Sequence, residues 1–100
     1  LPQRFSAVLL GMGADGHIAS LFPGAPVQAD DLNCLAAVHP QTHQIRISLS
    51  LPRLLETEKI WLVITGNEKR QVLENALTTS LPITNLLKQA KCKIEVFWCP

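Results

Sequence analysis

The sequence predicts an α/β fold with a mainly parallel β-sheet flanked by helices. Segments with the composition of strands alternate along the chain with segments that have helical patterns. This order is typical of sheets whose parallel strands are connected through helices. The first apolar segment, residues 5–10, also lacks a regular alternation of polar and apolar residues. We expect such a strand to be buried on both faces, as in a parallel sheet covered by helices.

Each element follows from a local pattern. The third predicted strand alternates with period two, which places Ile45 and Ile47 on one face and Arg46 and Ser48 on the other. Asn67 is expected to cap the helix that follows the fourth strand. The predicted strands are residues 5–10, 35–38, 44–51, 59–65 and 93–98, and the predicted helices are residues 52–56, 68–77 and 82–89.

The composition predicts one globular domain spanning residues 1–100. The chain has 100 residues, of which 47% are hydrophobic and 17% charged. Its net charge of +1, with scattered basic residues, gives no reason to expect nucleic acid or an anionic membrane as a partner. No apolar run approaches the roughly 20 residues that span a bilayer. Cys34, Cys92 and Cys99 form no C-x-x-C pair, which favours reduced thiols packed as small core residues in a cytoplasmic protein.

The segment Gly11-Met-Gly-Ala-Asp-Gly-His-Ile-Ala-Ser20 directly follows the first strand. Its glycines allow a tight backbone turn at the carboxyl end of a parallel strand, which is where α/β sheets bind ligands. A short helix is expected over residues 18–21. Free N–H groups at its start would suit a phosphate or a developing oxyanion.

The same segment matches the G-x-G-x-x-G pattern of dinucleotide-binding proteins through Gly11, Gly13 and Gly16. Two acidic residues, Asp30 and Asp31, lie at about the distance of the acid that contacts the ribose in such proteins. A nucleotide-binding unit, however, needs a full helix and a second strand between the glycines and that acid. Prolines interrupt this stretch, so the sequence argues against nucleotide binding.

Asp15 and His17 lie two residues apart in the glycine-rich turn and can approach one ligand together. Histidine is the usual side chain for moving a proton near neutral pH. A capping aspartate and a structural histidine would give the same pattern. The chemistry of the residues therefore leaves both interpretations open.

The string Leu10-Gly-Met-Gly-Ala-Asp-Gly-His-Ile-Ala-Ser-Leu-Phe-Pro-Gly24 resembles the signature of 6-phosphogluconolactonases. Arg46-Ile-Ser-Leu-Ser-Leu-Pro52 is similar to the family's Arg-x-Thr-x-Thr-x-Pro strand. Trp61-Leu-Val-Ile-Thr-Gly-Asn-Glu-Lys69 is similar to its apolar strand ending in Thr-Gly-x-x-Lys. The resemblance covers nearly the whole chain, and it implies the Rossmann-like fold of the isomerase/lactonase type.

The resemblance implies hydrolysis of 6-phospho-D-glucono-1,5-lactone to 6-phosphogluconate, a step of the oxidative pentose phosphate pathway, without a metal or cofactor. His17 would be the general base that takes a proton from water, and Asp15 would orient His17 or a substrate hydroxyl. Main-chain N–H groups around Gly11 and Gly13 would bind the oxyanion. By the same resemblance, Arg46 and Lys69 would bind the phosphate.

Glucosamine-6-phosphate deaminases belong to the same fold family and have the related loop Asp-Gly-His-Ile-Ala-Phe-Asn-Glu-Pro. Ile18 matches that version of the loop. The deaminase motif has a glutamate five positions after its histidine, where this sequence has Phe22. Because phenylalanine cannot transfer a proton, the lactonase interpretation is favoured.

Lactonases also have an N-terminal half with a second phosphate loop, which this chain does not contain. We therefore expect the chain to be the C-terminal part of the full fold, with weak or no activity alone. Association with the missing half, or a homo-oligomer, would complete it. An open edge at residues 5–10 would favour self-association.

Two alternatives are weighed beside the lactonase. His39 and His43 have the H-x₃-H spacing of half a zinc finger, but no paired cysteines precede them, which argues against a metal site. A non-catalytic module that binds sugar phosphates would use the same loop and the same basic residues. Only a test of turnover separates this module from the hydrolase.

Overall fold

The computed structural model describes residues 4–24 and 33–100, and their elements alternate as the sequence predicts. The strands are β1 (Val8–Gly11), β2 (Cys34–Val38), β3 (Ile45–Leu49), β4 (Lys59–Thr65) and β5 (Lys93–Cys99). The helices are α1 (Leu51–Leu54), α2 (Asn67–Glu74) and α3 (Pro82–Gln89), with a short 3₁₀ turn at Ala76–Thr78. Asp30 and Asp31, considered for nucleotide binding, lie outside the described residues.

The main sheet is parallel, which confirms the predicted fold class. Its strand order is β1-β4-β5, with β4 in the centre. The register places Leu10 beside Leu62 and Leu62 beside Val96. The chain passes from β4 to β5 through α2 and α3, which is the crossover through helices that parallel neighbours require. The carboxyl ends of β1 and β4 therefore lie at the same edge of the sheet.

The hydrophobic core covers one face of this sheet. Ile60, Leu62 and Ile64 of β4 are at most 3% exposed, and they share the core cluster with Ile83 and Leu86 of α3. The opposite face behaves differently: Leu9, Val63 and Phe97 are 68%, 45% and 51% exposed. The prediction that β1 is buried on both faces is therefore wrong for the described residues. The helices in the described part of the chain pack against the core face of the sheet, which carries Ile60, Leu62 and Ile64.

Strands β2 and β3 form a separate antiparallel hairpin, and it departs most from the sequence prediction. Alternate residues of β2 are exposed, so this strand is only partly buried. The burial of β3 does not alternate: Ile45, Arg46 and Ile47 are all exposed, the two isoleucines at 80% each, while Ser48 and Ser50 are buried. Burial of these serines is tolerated because their hydroxyl groups accept hydrogen bonds from the main chain, at Ser20 and Arg53 respectively.

The helix boundaries follow local capping. The Ser50 hydroxyl accepts a hydrogen bond from the first turn of α1, as an N-cap does. The predicted cap of α2 is wrong by one residue, because Gly66, with φ of 86°, precedes a helix that already includes Asn67. The helix also ends earlier than predicted. The Thr84 hydroxyl donates to the Ala76 carbonyl at 2.7 Å, where the chain changes to the 3₁₀ turn, and Leu77 is 66% exposed.

All three cysteines are free thiols. Cys92 packs against the core, but Cys34 and Cys99 are exposed, so the prediction of a core role is wrong for these two. None of the helices formed by the described residues has the length and apolar character needed to cross a bilayer.

Strand β1 pairs only with β4 among the described strands, so its other edge is open. An open strand edge presents unpaired main-chain groups that can pair with another chain. The self-association expected from the sequence stays a prediction.

We expect Leu62→Ala to lower the free energy of unfolding by about 2–5 kcal/mol, because Leu62 is fully buried in the central strand. Leu77→Ala, at an exposed leucine, is the matched control and should change it by less than about 0.5 kcal/mol. Urea denaturation of both variants measures the difference. Equal effects would contradict the assignment of β4 as the core strand.

Candidate active site

The loop after β1 is shaped by two buried side chains. Met12 is 4% exposed and Ile18 is fully buried, and their backbones form an antiparallel bridge. The N–H of Gly13 donates to the carbonyl oxygen of His17 at 2.9 Å, which closes a miniature hairpin. Since neighbouring side chains in extended backbone point to opposite sides, anchoring Ile18 in the core turns His17 away from it.

The tip of this hairpin is a tight turn over residues 13–16. The N–H of Gly16 donates to the carbonyl oxygen of Gly13 at 2.9 Å. Gly16 has φ of 85°, and a Cβ there would lie 2.6 Å from the Leu81 side chain, so only glycine fits without rearrangement. The carbonyl of Gly16 also accepts a hydrogen bond from the N–H of Ile83, which ties the turn to the start of α3.

The short helix expected over residues 18–21 is absent. The backbone makes a second turn instead, in which the N–H of Leu21 donates to the carbonyl oxygen of Ile18 at 2.8 Å. Ala19 adopts φ of 49°, a left-handed conformation that ends any helical run. The sequence prediction of helical N–H groups at this point is therefore wrong. Ser20 is held instead by its N–H bond to the Ser48 hydroxyl.

Asp15 and His17 form a close pair within the turn. The His17 Nδ1 lies 2.6 Å from Asp15 Oδ1, and the main-chain N–H of His17 donates to the same oxygen at 3.1 Å. An ionised carboxylate can only accept hydrogen bonds, so Nδ1 carries the hydrogen. In the neutral ring, the free lone pair then lies on Nε2. The His17 side chain is 29% exposed, which leaves the ring accessible to small molecules.

The environment of Asp15 favours its ionised form. Partial burial acts to raise the pKa of Asp15, but hydrogen bonds from the ring and the main chain of His17 outweigh it, and the pKa lies below its ordinary value. Asp15 therefore remains a carboxylate over the neutral and mildly acidic range. Its hydrogen bond to Nδ1 holds the His17 ring in one orientation.

Gly13 is needed for this pair because there is no space for a side chain. A Cβ at this position would lie 2.2 Å from two ring atoms of His17 and 2.8 Å from Asp15 Oδ1. Its N–H, however, already donates to the His17 carbonyl, so it is not free to bind an oxyanion as the sequence suggested. Gly11, at the end of β1, has open space in the direction a Cβ would take and remains a candidate for contact with substrate.

Phe22 contacts His17, and the sequence did not predict this contact. Its ring is 5% exposed and lies with its centroid 5.0 Å from that of His17 and 5.2 Å from that of His39. His39 accepts hydrogen bonds at Nδ1 from the N–H groups of Gln41 and Thr42, which is a structural role. The sequence signal that could have indicated the contact of Phe22 with His17 is an aromatic residue five positions after the histidine.

No group of three metal-ligating side chains occurs among residues 4–24 and 33–100.

Arg46 lies on β3, on the same face as Ser48, whose hydroxyl holds the loop at Ser20. Two residues along a strand correspond to about 6.7 Å, which is the separation of Arg46 from the serine that holds the loop. Its guanidinium is exposed and donates to Gln44 Oε1 at 3.3 Å. Within the described residues it has no carboxylate partner.

Lys69 lies in the first turn of α2, directly after β4. Because β1 and β4 are parallel neighbours, this turn is at the same edge of the sheet as the loop that carries His17. Trp98 Nε1 donates to the Gly66 carbonyl at 2.9 Å, which fixes the start of the helix. Lys69 makes no ion pair in the part of the chain that the structure describes, and no contact there joins it to His17.

An open groove of about 400 Å³ lies between β1 and β3. Gly11 and Ser20 contribute to its wall, but Asp15 and His17 do not. Most of its lining is apolar, with Leu9 and Ile47 at its rim. The groove follows the open edge of β1, so its shape alone does not identify the reactive centre.

The sequence of the chain matches a known family. The family model of glucosamine-6-phosphate isomerases/6-phosphogluconolactonase matches residues 1–98. The chain belongs to this family. It is 39% identical over 102 residues to a 6-phosphogluconolactonase of Caulobacter vibrioides, covering 94% of this chain and 44% of that protein. It is 42% identical over 96 residues to one from Helicobacter pylori strain J99, covering 90% of this chain and 42% of that protein.

Solved structures give the same result. A 6-phosphogluconolactonase from Shewanella baltica superposes with a TM-score of 0.90 at 32% identity, over 100% of this chain and 46% of that one. A monomeric glucosamine-6-phosphate deaminase superposes with a TM-score of 0.72 at 18% identity, which shows a shared fold alone. The chain spans less than half the length of these lactonases.

We expect Gly13→Ala to displace the His17 ring, because the new methyl group would overlap two of its atoms. The ring resonances of His17 in NMR spectra should lose the signature of an Nδ1–H bonded to a carboxylate. Gly11→Ala is the matched control, since the nearest atom to its new Cβ is 4.0 Å away. An unchanged His17 signal in Gly13→Ala would contradict the tight packing of the turn.

We expect the Asp15–His17 contact to stabilise the fold above the unfolded pKa of aspartate, about 3.9. Because the folded pKa is lower, this contribution is lost as pH falls through the folded value. The stability difference between the natural protein and Asp15→Asn should therefore shrink on acidification from about pH 6 to about pH 2. Urea denaturation at several pH values measures it, and a difference independent of pH would contradict the contact.

Proposed function

We propose that this chain carries the catalytic loop of a 6-phosphogluconolactonase, with His17 as general base. The observation that carries the proposal is the Asp15–His17 pair, whose atoms lie 2.6 Å apart at the carboxyl edge of a parallel sheet. This geometry leaves Nε2 of the neutral imidazole as a proton acceptor on an accessible ring. Membership of the family and the lactonase names of its relatives support the same activity.

In the proposed reaction, Nε2 of His17 removes a proton from a water molecule. The water oxygen attacks the lactone carbonyl carbon and forms a tetrahedral intermediate with a negatively charged oxygen. When the carbonyl reforms, the bond between that carbon and the ring oxygen breaks, and the ring oxygen takes up a proton from the imidazolium. The products are a carboxylic acid, which ionises, and a free hydroxyl group, so the catalyst is regenerated.

Asp15 has two roles in this proposal. It fixes the ring tautomer through Nδ1, and its negative charge stabilises the imidazolium that forms when Nε2 accepts the proton. Its lowered pKa supports both roles, because the carboxylate must be ionised to perform them. Gly13 provides the space that this arrangement requires. Gly11 would approach the substrate at the end of β1.

Arg46 and Lys69 are the proposed phosphate ligands. Arg46 can form a bidentate pair with a phosphate, and Lys69 adds a point charge in the first turn of a helix. The N–H groups of that turn add a partial positive charge. Arg46 lies on β3, and Lys69 lies at the start of α2, after the strand that neighbours β1.

Two alternatives remain as candidates from the sequence. A non-catalytic sugar-phosphate module would keep the basic residues but would not require a polarised histidine. A glucosamine-6-phosphate deaminase is less well supported, because the position of its motif glutamate is occupied by Phe22, whose ring is buried against His17. A phenyl ring cannot take part in proton transfer at that point.

The remaining proposals concern the whole protein. We propose that it acts in the cytoplasm, in the oxidative pentose phosphate pathway, on a phosphorylated sugar lactone. The matched lactonases are more than twice as long as the aligned part. We therefore propose that full activity requires the part of the lactonase fold that this chain does not span, whether joined or associated, or a homo-oligomer.

We expect His17→Ala to lower the rate of 6-phosphogluconolactone hydrolysis by roughly 100- to 10,000-fold, because the general base is removed. The measurement uses freshly generated lactone, corrects for spontaneous opening and uses the protein at its natural length. Binding of 6-phosphogluconate should remain largely intact.

The matched control is His43→Ala, which removes an exposed histidine at the tip of the β2–β3 hairpin. This variant should retain its rate. If the natural protein binds the sugar phosphate but shows no turnover, the non-catalytic binding module becomes the better interpretation. Turnover that survives His17→Ala would remove His17 as the base.

A further inference from the structure

Three aromatic rings connect the turn of the β2–β3 hairpin to the proposed base. The centroid of the Phe22 ring lies 5.0 Å from that of His17, and the two ring planes meet at 41°. On its other contact, Phe22 meets His39 at 5.2 Å in a T-shaped arrangement. Both distances lie within the range of favourable aromatic pairs. We call His17, Phe22 and His39 the aromatic cluster.

The hydrogen bond to Asp15 positions one atom of the His17 ring, and other contacts must set the ring plane. Nδ1 lies 2.6 Å from Asp15 Oδ1. The torsion that turns a histidine ring has broad preferences, so the rotamer alone does not define the plane. The plane decides the direction of the Nε2 lone pair. Phe22 restricts it, because the imidazole cannot turn into the space that the buried phenyl ring occupies.

His39 is held firmly within the hairpin turn. Its Nδ1 accepts hydrogen bonds from the N–H groups of Gln41 at 3.1 Å and Thr42 at 3.2 Å. Its own N–H donates to the Gln44 carbonyl oxygen, and its carbonyl oxygen accepts from the N–H of His43, both at 2.9 Å. These bonds fix the main chain and the ring of His39. The ring is therefore a rigid support for Phe22.

We propose that His39 is a positioning residue for His17 and that it acts through Phe22. The His39 ring holds Phe22 in place, and Phe22 limits the orientations of the His17 imidazole. His39 lies outside the segments that resemble the lactonase signature, so the resemblance assigns it no role. The catalytic consequence rests on the proposed function of His17 as base. A misplacement of about 1 Å in a reacting group can cost about 100-fold in rate.

Two substitutions separate the ring of His39 from its acceptor nitrogen. His39→Asn supplies an amide oxygen that can accept the same main-chain hydrogen bonds, but it removes the ring that contacts Phe22. His39→Phe keeps a flat ring beside Phe22 and leaves the N–H groups of Gln41 and Thr42 without this acceptor. If His39 only stabilises the turn, the acceptor matters. If it positions His17, the ring matters.

The first measurement is the NMR chemical shift of the His17 ring protons in the protein at its natural length. Because the ring current of Phe22 acts on these protons, we expect His39→Asn to move their signals while the Nδ1–H bond to Asp15 persists. His39→Phe should bring the signals back towards their natural positions. Unchanged His17 signals in His39→Asn would overturn the proposal. This measurement needs no turnover, so it decides the positioning role even where the lactonase assay fails.

The second measurement is the kinetics of 6-phosphogluconolactone hydrolysis. We expect His39→Asn to lower kcat by roughly 2- to 10-fold with little change in KM, which is the size of one aromatic contact. His39→Phe should recover most of the rate, although it unfolds at a lower urea concentration. The matched control is His43→Ala, which alters the same turn outside the aromatic cluster. A rate that His39→Asn keeps and His39→Phe loses would overturn the proposal.

A double-mutant cycle tests whether His39 acts through Phe22. Phe22→Leu keeps an apolar side chain but removes the ring, and should lower kcat by roughly 10- to 100-fold. Once the Phe22 ring is absent, His39 has nothing to support. The double variant with His39→Asn should therefore be no slower than Phe22→Leu alone. Losses that multiply in the double variant would overturn the proposal that the two residues act in sequence.

Discussion

The burial of Ile18 is the constraint on which the active loop depends. Ile18 is fully buried, and its backbone bridge to Met12 makes residues 13–17 a hairpin too short to adopt many conformations. Asp15 and His17 are then brought together within this short hairpin, where they bond to each other. The N–H of Ile83 donates a hydrogen bond to the carbonyl oxygen of Gly16, which fixes the loop against α3. The loop that carries the pair is therefore anchored to the crossover helix as well as to the core.

Local chemistry explains which parts of the fold were predictable. Strand β4 and helix α3 were predicted with their observed bounds, because apolar residues end at Gly66 in one and a proline opens the other. The burial of the β2–β3 hairpin was not predictable in this way. Ser48 and Ser50 are buried through hydrogen bonds to Ser20, which is distant in sequence, and to Arg53 of the next helix. Polar residues satisfied in this way reverse the usual rule that the apolar face is buried.

The same distinction applies to the site. Asp15, His17 and the glycines could be predicted, since their pairing is set within six residues of chain. The contact of Phe22 with both His17 and His39 could not, because it depends on how the β2–β3 hairpin packs on the loop. The role first expected for Gly13 also changed, since only the structure shows that its N–H is already bonded within the turn. Sequence patterns identify residue types, but they do not show which donors remain free.

These observations separate a reactive centre that is local from a binding site that is not. The proposed base, His17, and the carboxylate of Asp15 that contacts it both lie within residues 11–18. The proposed phosphate ligands come from two different elements, β3 and α2. A histidine oriented by a carboxylate stays oriented without the rest of a fold, whereas affinity for a sugar phosphate requires walls on all sides. We therefore expect the part of the lactonase fold that this chain does not span to contribute to substrate binding more than to the geometry of the Asp15–His17 pair.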